Sequence, residues 1–374
     1  MIPFGVYVHF PFCRSKCPYC DFNSYAKRFD EKALANAYAA ALRGYAGMTA
    51  EKRVTSVFFG GGTPSLASAD LISFILREIR VLWDVAENAE ISLEGNPDSL
   101  SDEKIDALRA AGVDRLSVGV QSLNDAELRF LGRIHSAKTA LSVLKRAQTV
   151  FPVVSADFIY ALPEQTMNAW LETLDAALGL KLKHLSLYQL TLEEGSFFEK
   201  QGKIVLPDEE TSAMMFEKTD AVMTNAGYTH YEVSNFAKGE QNVCRHNMIY
   251  WRGGDYVGVG AGACGRFAAN GVFYATESEK DPAVWLKDPT KDAREILTPK
   301  DRADELLITG LRLEKGIDAK RFKEIIGKEY TCFIDEDACR RLCDDGLLIV
   351  DDDGMRATKK GRLVLNRLIV QLAR

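Results

Sequence analysis

Three cysteines crowd the stretch "CRSKCPYCDFNSY" (Cys13–Tyr25). Three residues separate Cys13 from Cys17, and two separate Cys17 from Cys20. Thiolates on so short a loop suit either zinc or an iron–sulfur cluster. A structural zinc needs a fourth ligand, and His9 is the only histidine nearby in the sequence. Three thiolates on a four-iron cluster leave one iron without a protein ligand, open to a substrate or cofactor. Three inert, buried cysteines are the plain alternative, but neighbouring loop positions bury little and invite oxidation. The start of the chain, "MIPFGVYVHFPFC", lacks the charged region, long apolar run and cleavage site of a secretory signal. Eight cysteines in such a chain imply a reducing, cytoplasmic setting, where a tight group serves metal or catalysis rather than disulfides.

Other polar residues gather after short apolar runs. "GGGTPS" (Gly60–Ser65), "EGNP" (Glu94–Pro97), "GVQS" (Gly119–Ser122) and "DFIYALPEQT" (Asp157–Thr166) each close such a run. Any one could be a helix cap, since Ser, Thr, Asn and Asp are common there. Together they mark one rim if the runs are parallel strands, because chemistry gathers at the C-terminal ends of such strands.

The elements needed for that rim are legible. Strands are expected at Gly5–Phe10, Val54–Gly60, Glu90–Gly95, Arg115–Val120, Val154–Leu162 and His184–Leu190, most of them apolar on both faces. Helices are expected at Glu31–Tyr45, Ala69–Trp83, Asp102–Ala110, Ala137–Thr149, Met167–Leu178 and Thr211–Asn225. Six strand–helix units predict an α/β fold, a partial (β/α)6 barrel of the TIM type rather than the closed eightfold form. They fill residues 1–236. Residues 237–298 form a Gly-rich connecting segment in which "WRGGDYVGVGAGACGRF" (Trp251–Phe267) reads as a loop. Residues 299–374 read as helices at Asp301–Leu311, Asp318–Ile325 and Ile334–Asp344, a hairpin around an Asp-Gly turn, and a last helix at Lys360–Leu372. That is a winged-helix-like α+β module. It carries no basic recognition helix, and the net charge of −6 gives no basic stripe, so nucleic acid is not an expected partner. No apolar run approaches the roughly 20 residues of a transmembrane helix. Cys332, Cys339 and Cys343 read as small core residues and Cys264 as packing. His135, His184 and His230 read as structural.

The CxxxCxxC spacing after the first strand and GGTP after the second resemble the radical S-adenosylmethionine (SAM) superfamily. "YVHFPFC", "RLSVGVQS", "LGRIHSA" and "DFIYALPEQT" resemble one branch of it, the oxygen-independent coproporphyrinogen III dehydrogenases (HemN) and the related haem chaperones (HemW). The resemblance implies that Cys13, Cys17 and Cys20 ligate a [4Fe-4S] cluster whose free iron takes SAM. It implies Tyr7 and Tyr19 beside SAM, Gly61, Gly62 and Thr63 offering backbone and hydroxyl groups, and Glu94 accepting from ribose hydroxyls. Gln121, Arg133 and Asp157 fall where the dehydrogenase lines a second SAM site. Residues 299–374 would be the HemN-type C-terminal domain.

Three features favour the chaperone side of that branch. The dehydrogenase has a further cysteine two residues after the third; here that position is Phe22. Its N-terminal extension has no counterpart ahead of the first strand. "HNMIYW" (His246–Trp251) matches the HNxxYW motif of the chaperones. The expected cofactors are therefore the cluster, SAM and haem. In the motif, His246 supplies an imidazole, Tyr250 and Trp251 can pack on a porphyrin, Arg245 or Arg252 can pair with a propionate, and Cys244 is an alternative thiolate. Read without the resemblance, the same residues are a buried His–Asn pair with two core aromatics. The implied partners are haem, a recipient haemoprotein such as a membrane-bound respiratory component, and a low-potential electron donor such as flavodoxin or ferredoxin. Coproporphyrinogen dehydrogenation is the second reading, and another radical reaction on a tetrapyrrole the third.

Overall fold

The structure, a computed structural model, describes residues 2–373. Its strands are β1 (Phe4–Phe10), β2 (Arg53–Gly61), β3 (Asp84–Gly95), β4 (Arg115–Gln121), β5 (Val153–Tyr160), β6 (His184–Gln189), β7 (Thr229–Glu232) and β8 (Asn235–Ala237). There follow β9 (Asp255–Val259), β10 (Cys264–Ala269), β11 (Val272–Ser278), β12 (Asp292–Ile296), β13 (Ile317–Asp318), β14 (Leu348–Asp351) and β15 (Gly354–Ala357). The first twelve build one sheet in the order β12-β11-β10-β9-β1-β2-β3-β4-β5-β6-β8-β7. β1 to β6 are parallel neighbours with helices between them, as the alternation of apolar runs and amphipathic segments requires. Helix starts fall at side chains that accept from the first turn, among them Ser68, Ser101, Ser136, Thr166 and Asp208. β7 and β12 are edges, so the sheet does not close.

The Gly-rich segment is strand, not loop. β9 pairs in parallel with β1, adding a seventh parallel strand beyond the six expected, and β10 turns back antiparallel to it. Glycine is used here because backbones approach closely. A Cβ on Gly265 would lie 2.6 Å from Thr276 Oγ1, and one on Gly258 would run into the Cys264 backbone. Cys264 is consequently exposed on β10 rather than packed among small residues.

A second core serves the C-terminal module. Leu307, Phe322, Phe333, Leu342 and Leu368 pack beneath a three-stranded sheet of order β13-β15-β14. The hairpin turn lies at Asp352 and Asp353, one residue ahead of the expected Asp-Gly pair. Gly354 begins β15 with φ +144°, and a side chain there would collide with the Ile317 carbonyl of β13. The last helix is two, Lys359–Leu363 and Leu365–Leu372, broken at Val364. Cys339 and Cys343 lie half-buried against this core, whereas Cys332 is exposed. Among the described residues no helix is long and apolar enough to cross a membrane.

Candidate functional site

The cysteine loop leaves the end of β1 and is folded back on itself. Cys13 N donates to Tyr25 O (3.0 Å), Tyr25 N to Pro11 O (2.8 Å) and Cys20 N to Cys17 O (3.1 Å). The end of β2 clasps it: Gly62 N donates to Phe10 O (2.7 Å) and Thr63 N to Phe12 O (2.8 Å). A Cβ on Gly62 would lie 2.6 Å from Phe12 O and 3.0 Å from Cys13 Sγ, so glycine is what lets the two segments meet.

Donors reach the sulfurs from two sides. Thr63 Oγ1 donates to Cys13 Sγ (3.4 Å), and Arg133 Nη1 donates to Cys17 Sγ (3.4 Å). Arg133 also reaches Tyr19 Oη (3.5 Å), Gly119 O (2.9 Å) and Asn96 Oδ1. Asn96 Nδ2 in turn donates to Thr63 Oγ1 (3.1 Å), which makes Asn96 the link between the two cysteine-facing donors. "EGNP" drew attention to its glutamate, but the asparagine two residues on is equally placed. Burial pushes the Cys13 and Cys20 thiols above the usual range, with hydrogen bonds to Thr63, Ser24 and the Phe22 backbone only partly offsetting it. The Cys13 and Cys20 thiols are therefore protonated near neutral pH, and iron must displace those protons. Three half-buried, unpaired thiols with hydrogen-bond donors on their sulfurs fit a thiolate-held iron–sulfur cluster.

A small cavity of about 340 Å³ joins this loop to Tyr7, Gly61, Glu94, Tyr250 and Tyr256. Gly61 takes φ +108° and its N–H donates to Glu94 Oε2 (3.3 Å). A side chain there would strike the His9 ring at 2.6 Å. His9 Nε2 donates to the Asn23 carbonyl (2.9 Å), so its Nδ1 is the acceptor for the Tyr7 hydroxyl (2.8 Å). Burial, then the nearby Asp157 carboxylate, lifts Glu94 to about 8. Burial lifts Asp157 to about 6, against hydrogen bonds from Ser186 and Ser117. Gln121, at the end of β4, holds φ +69°, a left-handed conformation uncommon for a side-chain-bearing residue. Its amide lies beside Gly119 with Arg133 and Asn96. The structure thus brings Cys13, Cys17, Cys20, Tyr7, Tyr19, Gly61, Gly62, Thr63, Glu94, Gln121, Arg133 and Asp157 to one rim of the sheet.

The HNxxYW residues do not form one site. The Arg245–Trp251 helix packs on β1 and β2 with His246 in the core, fully buried. His246 Nδ1 bonds Ser56 Oγ (2.8 Å), its Nε2 bonds Tyr250 Oη (2.7 Å), and the ring stacks on Phe58 at 5.2 Å. Burial drops its pKa to about 3, so the ring is neutral. Both nitrogens are engaged, and neither presents a free lone pair to an iron. Tyr250 borders the small cavity, while Trp251 lies in the wall of a larger one. Cys244 is buried against Glu90, its thiol pushed up to about 12 by burial and by that carboxylate. The three histidines taken as structural each have partners: His135 bonds Val120 O, His184 bonds Ser155 and Tyr231, and His230 bonds Asp220.

Comparison with known proteins identifies the family and the fold. The family model "Radical SAM superfamily" matches residues 7–177, and "HemN C-terminal domain" matches residues 297–364. Among solved structures, coproporphyrinogen III oxidase (HemN) from Escherichia coli superposes with a TM-score of 0.82 at 26% identity, covering 99% of this chain and 90% of that one. With its cysteine loop after the first strand of the parallel core and the matching family model, the chain is a radical SAM protein. A radical S-adenosyl methionine domain-containing protein 1, mitochondrial, from Bos taurus is 38% identical over 98% of this chain and 87% of its own length. Heme chaperone HemW of Haemophilus influenzae is 33% identical over 98% of this chain and 97% of its own. The chain belongs to the HemW family of the radical SAM superfamily.

Proposed function

We propose that this protein is a haem carrier that binds haem and passes it to a recipient haemoprotein, and that it holds a [4Fe-4S] cluster and SAM on the rim described above. The observation that carries this reading is the end-to-end match, 33% identical, to heme chaperone HemW. Phe22 supports it: the position where the dehydrogenase resemblance expects a further thiol carries a side chain 57% exposed. Cys13, Cys17 and Cys20 would hold the cluster, with Thr63 and Arg133 orienting two of the sulfurs. A bound cluster with SAM supplies low-potential electron transfer and radical chemistry. Gly61 and Gly62 let the end of β2 pack against the cysteine loop and would offer backbone groups to SAM, Glu94 faces the small cavity as an acceptor for hydroxyls, and Tyr7 and Tyr19 would flank SAM at the loop. Gln121, Arg133 and Asp157 form a polar patch beside it, in which the Arg133 charge favours an anionic group. A flavodoxin- or ferredoxin-type donor would serve the cluster.

The test is an anaerobic preparation reconstituted with iron and sulfide. Titration with haem should saturate at one haem per chain, and coproporphyrinogen III with SAM and reductant should yield no protoporphyrinogen. Turnover of coproporphyrinogen would replace the carrier reading with the dehydrogenase one. His246 has a prediction of its own. His246→Ala should leave the haem absorption spectrum unchanged but lower stability by about 1–3 kcal/mol, because Ser56 and Tyr250 lose a buried partner. A shifted haem spectrum at unchanged stability would instead make the imidazole an iron ligand.

A further inference from the structure

A cavity larger than the one at the cysteine rim lies away from it. About 1180 Å³ in volume, it opens between the Arg245–Trp251 helix, the N-terminal ends of β1 and β2 at Pro3 and Thr55, and the C-terminal module. Ligand pockets are commonly about 300–1,000 Å³, so this one suits a large ligand. Its apolar wall includes Met248, Trp251, Leu306, Leu313 and Phe322. The helix explains how the motif divides. His246 and Tyr250, four apart, turn inward together, while Met248, Trp251 and Arg252 line this cavity.

The polar part of the wall carries both signs of charge, Glu314, Asp318 and Glu324 among the acids, yet leaves particular donors unmatched. Among the described residues the exposed Arg252 guanidinium has no hydrogen-bond or ion-pair partner. Arg321 Nε donates to Arg252 O (2.7 Å), but its buried Nη2 has no acceptor, and neither has Trp251 Nε1. Buried donors without acceptors are uncommon and call for a cause. Burial and the Arg252 charge push the Arg321 pKa down, and Asp318 and Glu324 offset this only in part. Two pairs of wall charges are matched to one another: Arg356 with Asp351 (2.6 Å) and Lys315 with Glu240 (3.2 Å). An acceptor on a ligand would satisfy Arg321 Nη2 and Trp251 Nε1, with the Arg252 guanidinium free beside them.

We infer that this cavity is the seat of haem, with the macrocycle against Trp251 and Met248 and its propionates drawn to Arg252 and Arg321. The inference rests on the carrier reading above and gives that reading a place. A flat apolar ring bearing two carboxylates matches a wall that is apolar on one side and carries two under-paired arginines on the other. No histidine or cysteine lines the cavity; Met248 supplies its one sulfur. A site without a strong axial ligand holds haem by burial and charge, and so releases it readily to a recipient with better ligands.

The experiment titrates full-length protein with haem and with haem dimethyl ester, whose propionates carry no charge. Arg252→Met/Arg321→Met should bind haem at least about tenfold more weakly than the unmodified protein, and should bind the ester equally well. Met248→Trp, which fills the cavity, should weaken both ligands and keeps the test open should the arginine variant misfold. Unchanged haem affinity in the arginine variant, or equal loss of haem and ester, would overturn the placement. Failure of the unmodified protein to bind haem at all would instead overturn the carrier reading itself.

Discussion

Replacing Arg115 with Met is expected to cost about 3–5 kcal/mol of unfolding free energy. Arg115 starts β4 and is almost wholly buried, 3.7 Å from Glu90, whose side chain is equally enclosed. Removing the guanidinium leaves the Glu90 charge uncompensated, which is the costly way to break such a pair. Glu90 is also a hub: it accepts from Ser92 Oγ (3.2 Å), Cys244 Sγ (3.5 Å) and His246 N (3.3 Å). Arg115 donates onward to Asn242 O (2.9 Å), two residues before Cys244. The pair therefore anchors the start of the Arg245–Trp251 helix to the bottom of the sheet. Arg115 also helps to restrain the rise in Asp157 pKa, so the polar patch would feel its loss. Urea unfolding of Arg115→Met, Glu90→Gln and the double variant separates the contributions. The double variant should recover most of the loss, since no charge is then stranded. A single-variant cost below about 1 kcal/mol, or a double variant as unstable as the sum of the singles, would show that the pair does not act as described.

The parallel core was legible because each strand is buried on both faces and each helix begins at a side chain able to cap it. Asp102–Ala110 has the same bounds in sequence and structure because Ser101 accepts from Lys104 N (3.2 Å) and stops the helix from starting earlier. The Gly-rich strands were not legible. Gly258 and Gly265 lower strand propensity, and only the packed structure shows that β9 and β10 need them for backbone approach. The rim residues were legible as types but not as a network. Nothing in "EGNP" says that Asn96 reaches both Thr63 and Arg133, because those contacts come from the ends of two strands and from the turn beyond the short helix Asp125–Phe130. The motif "HNMIYW" misled in a specific way. Its chemistry suggested one ligand set, but a helix turns about 100° per residue, so His246 and Trp251 cannot share a face. Burial, which single-sequence reading cannot assign to a histidine, then engages both imidazole nitrogens.

Glu94→Gln is expected to stabilise the protein freed of iron and SAM, increasingly so as pH rises. The Glu94 carboxyl is lifted from 4.5 to about 8 by burial and by Asp157. A group whose folded pKa lies above its unfolded value binds its proton more tightly when folded. Its contribution is complete below about pH 4.5 and is lost as pH climbs through about 8. The glutamine variant has no such loss. The gap between the two proteins should be small at pH 5 and reach on the order of 3 kcal/mol at pH 9, allowing for the partial exposure of Glu94 to the small cavity. Urea melts at pH 5, 7 and 9 measure it, and parallel curves would remove Glu94 from the set of strained groups. The same shift bears on ligand binding. If SAM binds as proposed, with ribose hydroxyls donated to Glu94, the carboxylate is favoured and binding at pH 7 should expel up to about one proton. Calorimetric titrations in buffers of different ionisation enthalpy would register that proton in the unmodified protein and lose it in Glu94→Gln. Proton release that persists in the variant would place the titrating group elsewhere on the rim, with Asp157, lifted to about 6, the next to replace.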